Sequence, residues 1–135
     1  MDEEVILKAQ MIEQQSNEIE QNLQLINQQL DELDKFKETL EDFDKKKSNE
    51  MLSLLGKGVY AKTETKEKDL FVGVGANIFV KKSPEETIKV IESQLSRLKE
   101  ARIQLMERAE IYANAFRQLI EEIQKEQEAE KKNKK

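Results

Sequence analysis

The fold is decided by residues 51–82, MLSLLGKGVYAKTETKEKDLFVGVGANIFVKK, which contain all four glycines of the chain. Apolar residues alternate along this stretch, and many are β-branched or aromatic, which is typical of strands whose successive side chains point to opposite faces. The segments Gly56-Lys57-Gly58 and Gly75-Ala76-Asn77 fall where tight turns are needed, because glycine and asparagine accept positive φ at low cost. The pattern predicts four strands near residues 51–55, 58–64, 69–74 and 77–82, paired as two hairpins.

These hairpins are too small to be stable alone. A lone two-stranded hairpin is marginal in water, and its edges carry unpaired N–H and C=O groups that tend to find partners. We therefore expect residues 48–82 to be an oligomerisation region, whose strands join strands of other chains. The alternative interpretation is a self-contained hairpin cap on a monomeric coiled coil.

Heptad repeats flank this region on both sides. In residues 1–47 the apolar positions alternate in spacing between four and three from Val5 to Leu40, and in residues 83–130 they do so from Ile88 to Ile123. The second repeat opens with the segment Ser83-Pro84-Glu85-Glu86, which has the pattern of a capping box with proline at the first helical position. Residues 131–135 are expected to be a solvated tail.

The two heptad helices should pair with each other in antiparallel orientation. A register that places Ile12 opposite Phe116 gives sensible layers, in which small and large residues often face each other. A register shifted by one heptad would place Arg102 opposite Leu33 instead of Ile26. The predicted seam comprises Ile12, Ile19, Leu23, Leu30, Leu33, Leu95, Leu98, Leu105, Tyr112 and Phe116. The expected fold is α+β: a long antiparallel two-helix coiled coil with two central β-hairpins that form an oligomeric hub.

Composition argues against catalysis. The chain of 135 residues contains no histidine and no cysteine, so imidazole and thiolate nucleophiles and metal ligands are excluded. The many glutamates belong to solvated helix faces, and no phosphate-binding loop is present. We expect no enzyme activity, no cofactor and no metal.

Charge and hydropathy narrow the partners and the location. The net charge is −5 and no basic face stands out, so we expect no nucleic-acid partner. No apolar run approaches the ~20 residues of a membrane span, and the N-terminal sequence lacks a secretory signal. We expect no membrane partner and a cytoplasmic location.

Apolar residues outside the seam are candidates for contacting other molecules. Ile6, Leu7, Met11, Ile120 and Ile123 lie in the half far from the strands, while Leu25, Ile103, Met106 and Ile111 are also off the main stripe. Exposed apolar patches at helix ends would bind non-native chains weakly and without sequence preference. The plainer interpretation is that these are ordinary single exposed hydrophobes or are covered by a broad seam.

The order helix, two hairpins, helix resembles the prefoldin family, specifically its α class. The segment LLGKGVYAKTE at residues 54–64 is similar to the first hairpin of that family, and DLFVGVGANIFVKKSPEETI at residues 69–88 is similar to its second hairpin and the start of its last helix. Specific similarity covers about residues 50–95, while the architecture matches over nearly the whole chain. Leu55 departs from the family pattern, because many members have proline there.

The resemblance implies an ATP-independent holdase, a chaperone that binds unfolded client proteins at the distal coiled-coil ends and passes them to a group II chaperonin. Members assemble through their hairpins into a β hub, usually as a hexamer of two α and four β subunits. The implied hub residues are Leu52, Leu54, Val59, Leu70, Val72, Val74, Ile78 and Val80. The implied client-binding residues are Ile6, Leu7, Met11, Ile120 and Ile123.

Three hypotheses remain open at this stage. The first is an α-class subunit that shares its hub with β-class subunits. The second is a homo-oligomer or filament assembled through the hairpins, like the archaeal filament-forming gamma variant, with chaperone activity secondary. The third is a coiled-coil adaptor that binds one defined partner. The sequence does not distinguish the hexamer from the filament.

Overall fold

The computed structural model describes residues 3–133. Its elements are, in chain order, α1 Glu3–Lys45, β1 Glu50–Gly56, β2 Val59–Glu64, β3 Leu70–Gly75, β4 Ile78–Lys82 and α2 Pro84–Asn133. Strand β1 pairs with β2 and strand β3 pairs with β4, each pair antiparallel and in a sheet of its own. The predicted α+β class, with two helices flanking two hairpins, is confirmed. Helix α2 includes residues 131–133 of the predicted tail, whose side chains are exposed, while residues 134–135 lie outside the described part.

The chain divides into two compact units, which we describe separately. The helical unit consists of the described residues up to Leu30 and from Arg97 onward, and the hairpin unit is Asp31–Ser96. The most buried apolar side chains of the helical unit are Ile19, Leu30 and Leu119, and those of the hairpin unit are Leu40, Ile91 and Leu95. Most of these residues occupy predicted heptad positions, so the apolar stripe forms the core in both units.

Polar contacts between the helices show the register within each unit. In the helical unit, the Arg102 guanidinium donates to the Asn27 side-chain oxygen at 3.3 Å. Asn27 directly follows Ile26, the residue predicted to face Arg102. In the hairpin unit, the Lys37 ammonium lies 3.3 Å from the Glu92 carboxylate. Both contacts agree with the register that places Ile12 opposite Phe116 and contradict the register shifted by one heptad.

Both hairpins close with two-residue turns of the same kind. Lys57 and Gly58 connect β1 to β2 with φ of 49° and 79°, and Ala76 and Asn77 connect β3 to β4 with φ of 50° and 59°. Two consecutive residues with positive φ define the type I′ turn, whose twist matches that of paired strands. The register shifts by one residue just before each turn, which leaves Leu55 and Val74 as bulge residues.

Ser83 caps helix α2 directly after strand β4. Its hydroxyl accepts a hydrogen bond from the Glu86 amide at 3.1 Å, and its carbonyl accepts one from the Thr87 hydroxyl at 2.9 Å. Pro84 occupies the first helical position and is buried, as is Thr87. The cap therefore fixes the point at which the second hairpin passes into the helix.

Among residues 3–133, neither helix carries a stretch that is long and apolar enough to cross a membrane.

Candidate interaction surfaces

The first hairpin has one half-buried face and one exposed apolar face. Met51, Ala61 and Thr63 are half-buried, and the Thr63 hydroxyl lies 2.7 Å from that of Ser53 on the same face. The opposite face exposes large side chains, with exposed fractions of 66% for Leu52, 62% for Leu54 and 57% for Tyr60. Leu54 and Tyr60 lie directly opposite each other on the paired strands. This hairpin therefore presents an apolar sheet face to solvent in the single chain.

The second hairpin repeats this arrangement with aromatic residues. Phe71 and Phe79 are 66% and 64% exposed. Phe79 pairs with Gly73, and its ring lies over that glycine, 3.5 Å from the position that a Cβ there would take. On the other face Val72 pairs with Val80 and is half-buried. An aromatic ring laid over a glycine stiffens a strand pair that would otherwise lose side-chain packing.

The hairpin edges add hydrogen-bonding capacity to these apolar faces. Each described strand is paired on one side only, because each sheet has two strands. The outer N–H and C=O groups of each strand can therefore pair with a strand of another chain. Exposed apolar faces and open edges together are the features of a surface that is completed by a partner.

The structure places the predicted hub residues on these hairpins in two groups. Six are exposed in the single chain and two, Leu70 and Val72, are half-buried. The exposed six are Leu52, Leu54, Val59, Val74, Ile78 and Val80. Sequence reasoning left out four further exposed apolar residues, Leu55, Tyr60, Phe71 and Phe79. The alternation of side chains along each strand could have identified Tyr60, Phe71 and Phe79, because they point to the sheet face opposite to that of their predicted neighbours.

The helical unit exposes apolar side chains near the first turns of α1 and the later turns of α2. Leu7 is 59% exposed and Met11 is 64% exposed, while Ile6 and Ile120 are 40% and 38% exposed. Ile123 is half-buried, which is less exposed than the other predicted client-binding residues. The five predicted residues thus differ in accessibility, with Leu7 and Met11 the most open.

A groove runs between the helices beside Met11. Its volume is about 410 Å³, and its apolar lining comes from Met11, Ile12, Tyr112, Ala115 and Leu119. Lys8, Gln15, Gln118 and Glu122 line it with polar groups. Ala115 leaves space because its side chain is a single methyl group. The groove offers room for an apolar side chain next to groups that can form hydrogen bonds.

A second groove of about 340 Å³ explains the exposure of Phe116. It is lined by Ile12, Glu13, Ser16, Ala113 and Phe116. The shared groove places Ile12 next to Phe116, as the predicted register requires. Ser16 and Ala113 are too small to cover the ring, so Phe116 keeps 38% of its surface exposed despite its seam position. The remaining predicted seam residues are buried or half-buried.

Charged groups form surface contacts in the described chain. The Lys81 ammonium lies 2.9 Å from the Glu67 carboxylate and 3.6 Å from that of Asp69. The hydrogen bond and attraction to Glu67 raise the pKa of Lys81, with a smaller contribution from Asp69. Within residues 3–133, His, Cys, Asp and Glu side chains form no group of three or more that could hold a metal ion.

Comparison with known proteins identifies the family. The family model described as prefoldin subunit matches residues 12–129. The prefoldin subunit alpha of Methanosphaera stadtmanae is 29% identical over 91 residues, an alignment that covers 67% of this chain and 66% of the relative, just under two thirds of its length. A cryo-EM structure of filamentous PFD from Methanocaldococcus jannaschii has a TM-score of 0.73 at 20% identity and covers 85% of this chain and 97% of that one.

The family model covers most of the chain, including both hairpins and most of both helices. The solved structure independently supports the same fold. The expectation drawn from the two hairpin segments is therefore confirmed: the chain belongs to the prefoldin family, and within it the chain is similar to an archaeal α subunit.

Proposed function

We propose that this chain is a cytoplasmic, ATP-independent chaperone subunit that holds unfolded proteins on the apolar surface of its helical unit. It is not an enzyme. It passes its clients to a group II chaperonin and assembles through its hairpins with prefoldin β-class subunits or with further copies of itself. The observation that carries the proposal is the exposure of Leu7 and Met11, together with the groove that Met11 lines, in a chain of the prefoldin family.

The chemistry of this surface suits clients without a fixed sequence. Unfolded chains expose apolar side chains in many arrangements, so a holdase needs contacts that adapt rather than one rigid pocket. Methionine has three rotatable bonds and a polarizable sulfur, which lets Met11 fit different shapes. The polar groups of Lys8, Gln15, Gln118 and Glu122 can hydrogen-bond to the backbone of an extended client. Several weak contacts of this kind allow binding and release without ATP.

The experiment that tests this surface compares two variants, each with three apolar residues replaced by serine. In the first, Ile6, Leu7 and Met11 are replaced by serine. In the second, serine replaces three apolar residues of the helical unit, each 56% exposed, that lie outside the predicted client-binding set and do not line the groove: Leu25, Ile103 and Met106. Each variant replaces one isoleucine, one leucine and one methionine that are exposed, so the main difference between them is where the apolar surface is lost.

We expect the first variant to lose most of its ability to suppress aggregation of a chemically denatured model protein in the absence of ATP. The second variant should stay close to the unmodified chain. Light scattering of the client at a fixed ratio of chaperone to client measures the difference, and circular dichroism checks that helix content is unchanged. Equal suppression by both variants would contradict the assignment of the client surface.

A second candidate function is that of a homo-oligomer or filament with chaperone activity secondary. The filamentous assembly of the Methanocaldococcus jannaschii protein favours it, because that chain shares this fold. The unpaired strand edges are compatible with both hypotheses, since either β-class chains or identical chains could extend the sheets.

Light scattering coupled to size-exclusion chromatography separates the two. A small species that becomes a defined hexamer only when a β-class chain is added would support the shared hub. A broad series of very large species from this chain alone, growing with concentration, would support the filament. A stable monomer that ignores such a partner would contradict hairpin assembly altogether.

A further inference from the structure

The segment between the two hairpins, residues 65–69, is tied to three neighbouring parts of the hairpin unit. The Thr65 amide donates to the Asn49 carbonyl at 2.8 Å, just before strand β1. Glu67 and Asp69 form ion pairs with Lys81 in strand β4. Lys68 reaches the end of helix α1. This short segment, which we call the junction, therefore contacts the residue that precedes the first hairpin, a strand of the second hairpin and the end of the first helix.

Lys68 satisfies carbonyl groups that the helix leaves unpaired. Its ammonium donates to the Phe43 carbonyl at 2.7 Å and to the Lys46 carbonyl at 3.0 Å. Phe43 lies in the last turn of α1, whose carbonyls have no partner within the helix. The same ammonium lies 4.6 Å from the centre of the Phe43 ring, within cation–π distance. A positive charge at this end of a helix is also favoured by the helix dipole.

This cap differs from an ordinary helix end because it comes from far along the chain. Lys68 is 25 residues from Phe43 and 22 from Lys46, and the whole first hairpin lies between them. The contact therefore closes a loop around hairpin one and holds the start of hairpin two near the helix. The covalent links between the helices and the hairpins are short segments, but they do not by themselves restrict rotation about their backbone bonds.

We propose that Lys68 is a positioning residue that fastens both hairpins to the end of α1 and thereby sets the direction in which their apolar faces meet neighbouring chains. The inference rests on the proposed assembly through the hairpins. An assembly of defined size requires that each chain present its edges and faces at one angle. When the angle varies, sheets still join, but the number of chains that closes an assembly varies as well.

The test replaces Lys68 with methionine, which keeps a long unbranched side chain but removes the charge and the three donors. The matched control is Lys66→Met, which removes a lysine from the same junction. Ser83→Ala is a second control, because it weakens the hairpin unit at the α2 cap and leaves every junction contact in place. Lys68→Arg keeps the charge and the donors and serves as the rescue variant.

Two properties of each variant are measured. Hydrogen exchange monitors the amides of the last turn of α1. We expect these amides to exchange about tenfold faster in Lys68→Met, because a hydrogen bond to a charged group stabilises the closed state by a factor on the order of ten. Light scattering after size-exclusion chromatography monitors mass, where we expect Lys68→Met to give a broader distribution at unchanged helix content. Lys66→Met and Ser83→Ala should keep the wild-type mass, and Lys68→Arg should restore most of it.

Two outcomes would overturn the proposal. If Lys68→Met exchanges faster but assembles with the wild-type mass distribution, Lys68 is a local helix cap and does not position the hairpins. If Ser83→Ala broadens the mass distribution as much as Lys68→Met, lost stability and not lost orientation is the cause. If the hairpins do not mediate assembly at all, a separate experiment shows it. A charge placed on the exposed apolar face of the first hairpin would then leave the mass of the assembly unchanged.

Discussion

The hairpin unit and the helical unit both expose apolar side chains, but they do so in different ways. In the hairpin unit these side chains stand on strands whose spacing is fixed by paired backbones and two type I′ turns. In the helical unit they lie on helix faces, where Met11 and Phe116 line shallow grooves. A rigid face with open edges selects a partner of matching geometry, whereas a loose apolar surface accepts many. This difference is the basis for proposing assembly through the hairpins and client binding by the helical unit.

The largest effect on assembly should come from placing a charge on the exposed apolar face of the first hairpin. Leu54 is 62% exposed, so Leu54→Asp costs the isolated chain little stability. In an assembled hub the carboxylate would be buried without a partner, a penalty of several kcal/mol. We expect the assembly to fall to small species by light scattering while far-UV circular dichroism still shows the helices.

Lys57→Asp is the matched control for that charge, because Lys57 lies in the turn at the end of the same hairpin. It should keep the wild-type mass. Should Leu54→Asp also elute at the wild-type size, the exposed face of the first hairpin is not part of the hub, and the comparison between the units fails at its strongest point.

A smaller effect is expected from shortening a buried side chain in the seam between the two helices. Leu40 is 5% exposed in the hairpin unit, so Leu40→Ala should lower the free energy of unfolding by about 2–5 kcal/mol through lost burial and a residual cavity. Leu25→Ala, at a 56% exposed position, should change it by less than about 0.5 kcal/mol. Denaturant titrations at matched protein concentration measure both.

A stability change at Leu25 as large as that at Leu40 would mean that Leu25 is covered, either within the chain or by a neighbour. In that case the plainer interpretation of the off-seam residues, a broad seam, would return. The comparison of the two leucines therefore tests whether exposure in the single chain reflects exposure in the assembly.

Most of the fold could be predicted from local patterns. Heptad spacing places buried residues such as Ile19 and Leu95, and glycine marks both turns, together with asparagine in the second. The segment from Ser83 to Glu86 marks the start of α2, where the Ser83 hydroxyl accepts the Glu86 amide. These features depend on residues close together in the chain, for which propensity and capping rules are strongest.

The sites were harder to predict because they depend on distant residues. Lys68 resembles any surface lysine in sequence, and its role appears only when the fold brings it to the carbonyls of Phe43 and Lys46. The exposure of Phe116 depends on two small residues beside it, Ser16 on the facing helix and Ala113 on its own helix. Neither feature has a sequence pattern of its own, so periodicity alone predicts Phe116 in the seam and does not distinguish Lys68 from other lysines.

The smallest effect is expected from a substitution at the cap of α2, which leaves both apolar surfaces intact. Ser83→Ala removes the hydroxyl that accepts the Glu86 amide at 3.1 Å and should lower the free energy of unfolding by about 1 kcal/mol. Ser83→Asp, which keeps an acceptor at the cap, should recover most of that loss. Neither variant touches the exposed hairpin faces or the groove beside Met11, so assembly mass and suppression of client aggregation should match the unmodified chain. If Ser83→Ala instead weakens client holding in proportion to its lost stability, the client surface depends on the whole chain rather than on local exposure, and the two units cannot be assigned separate roles.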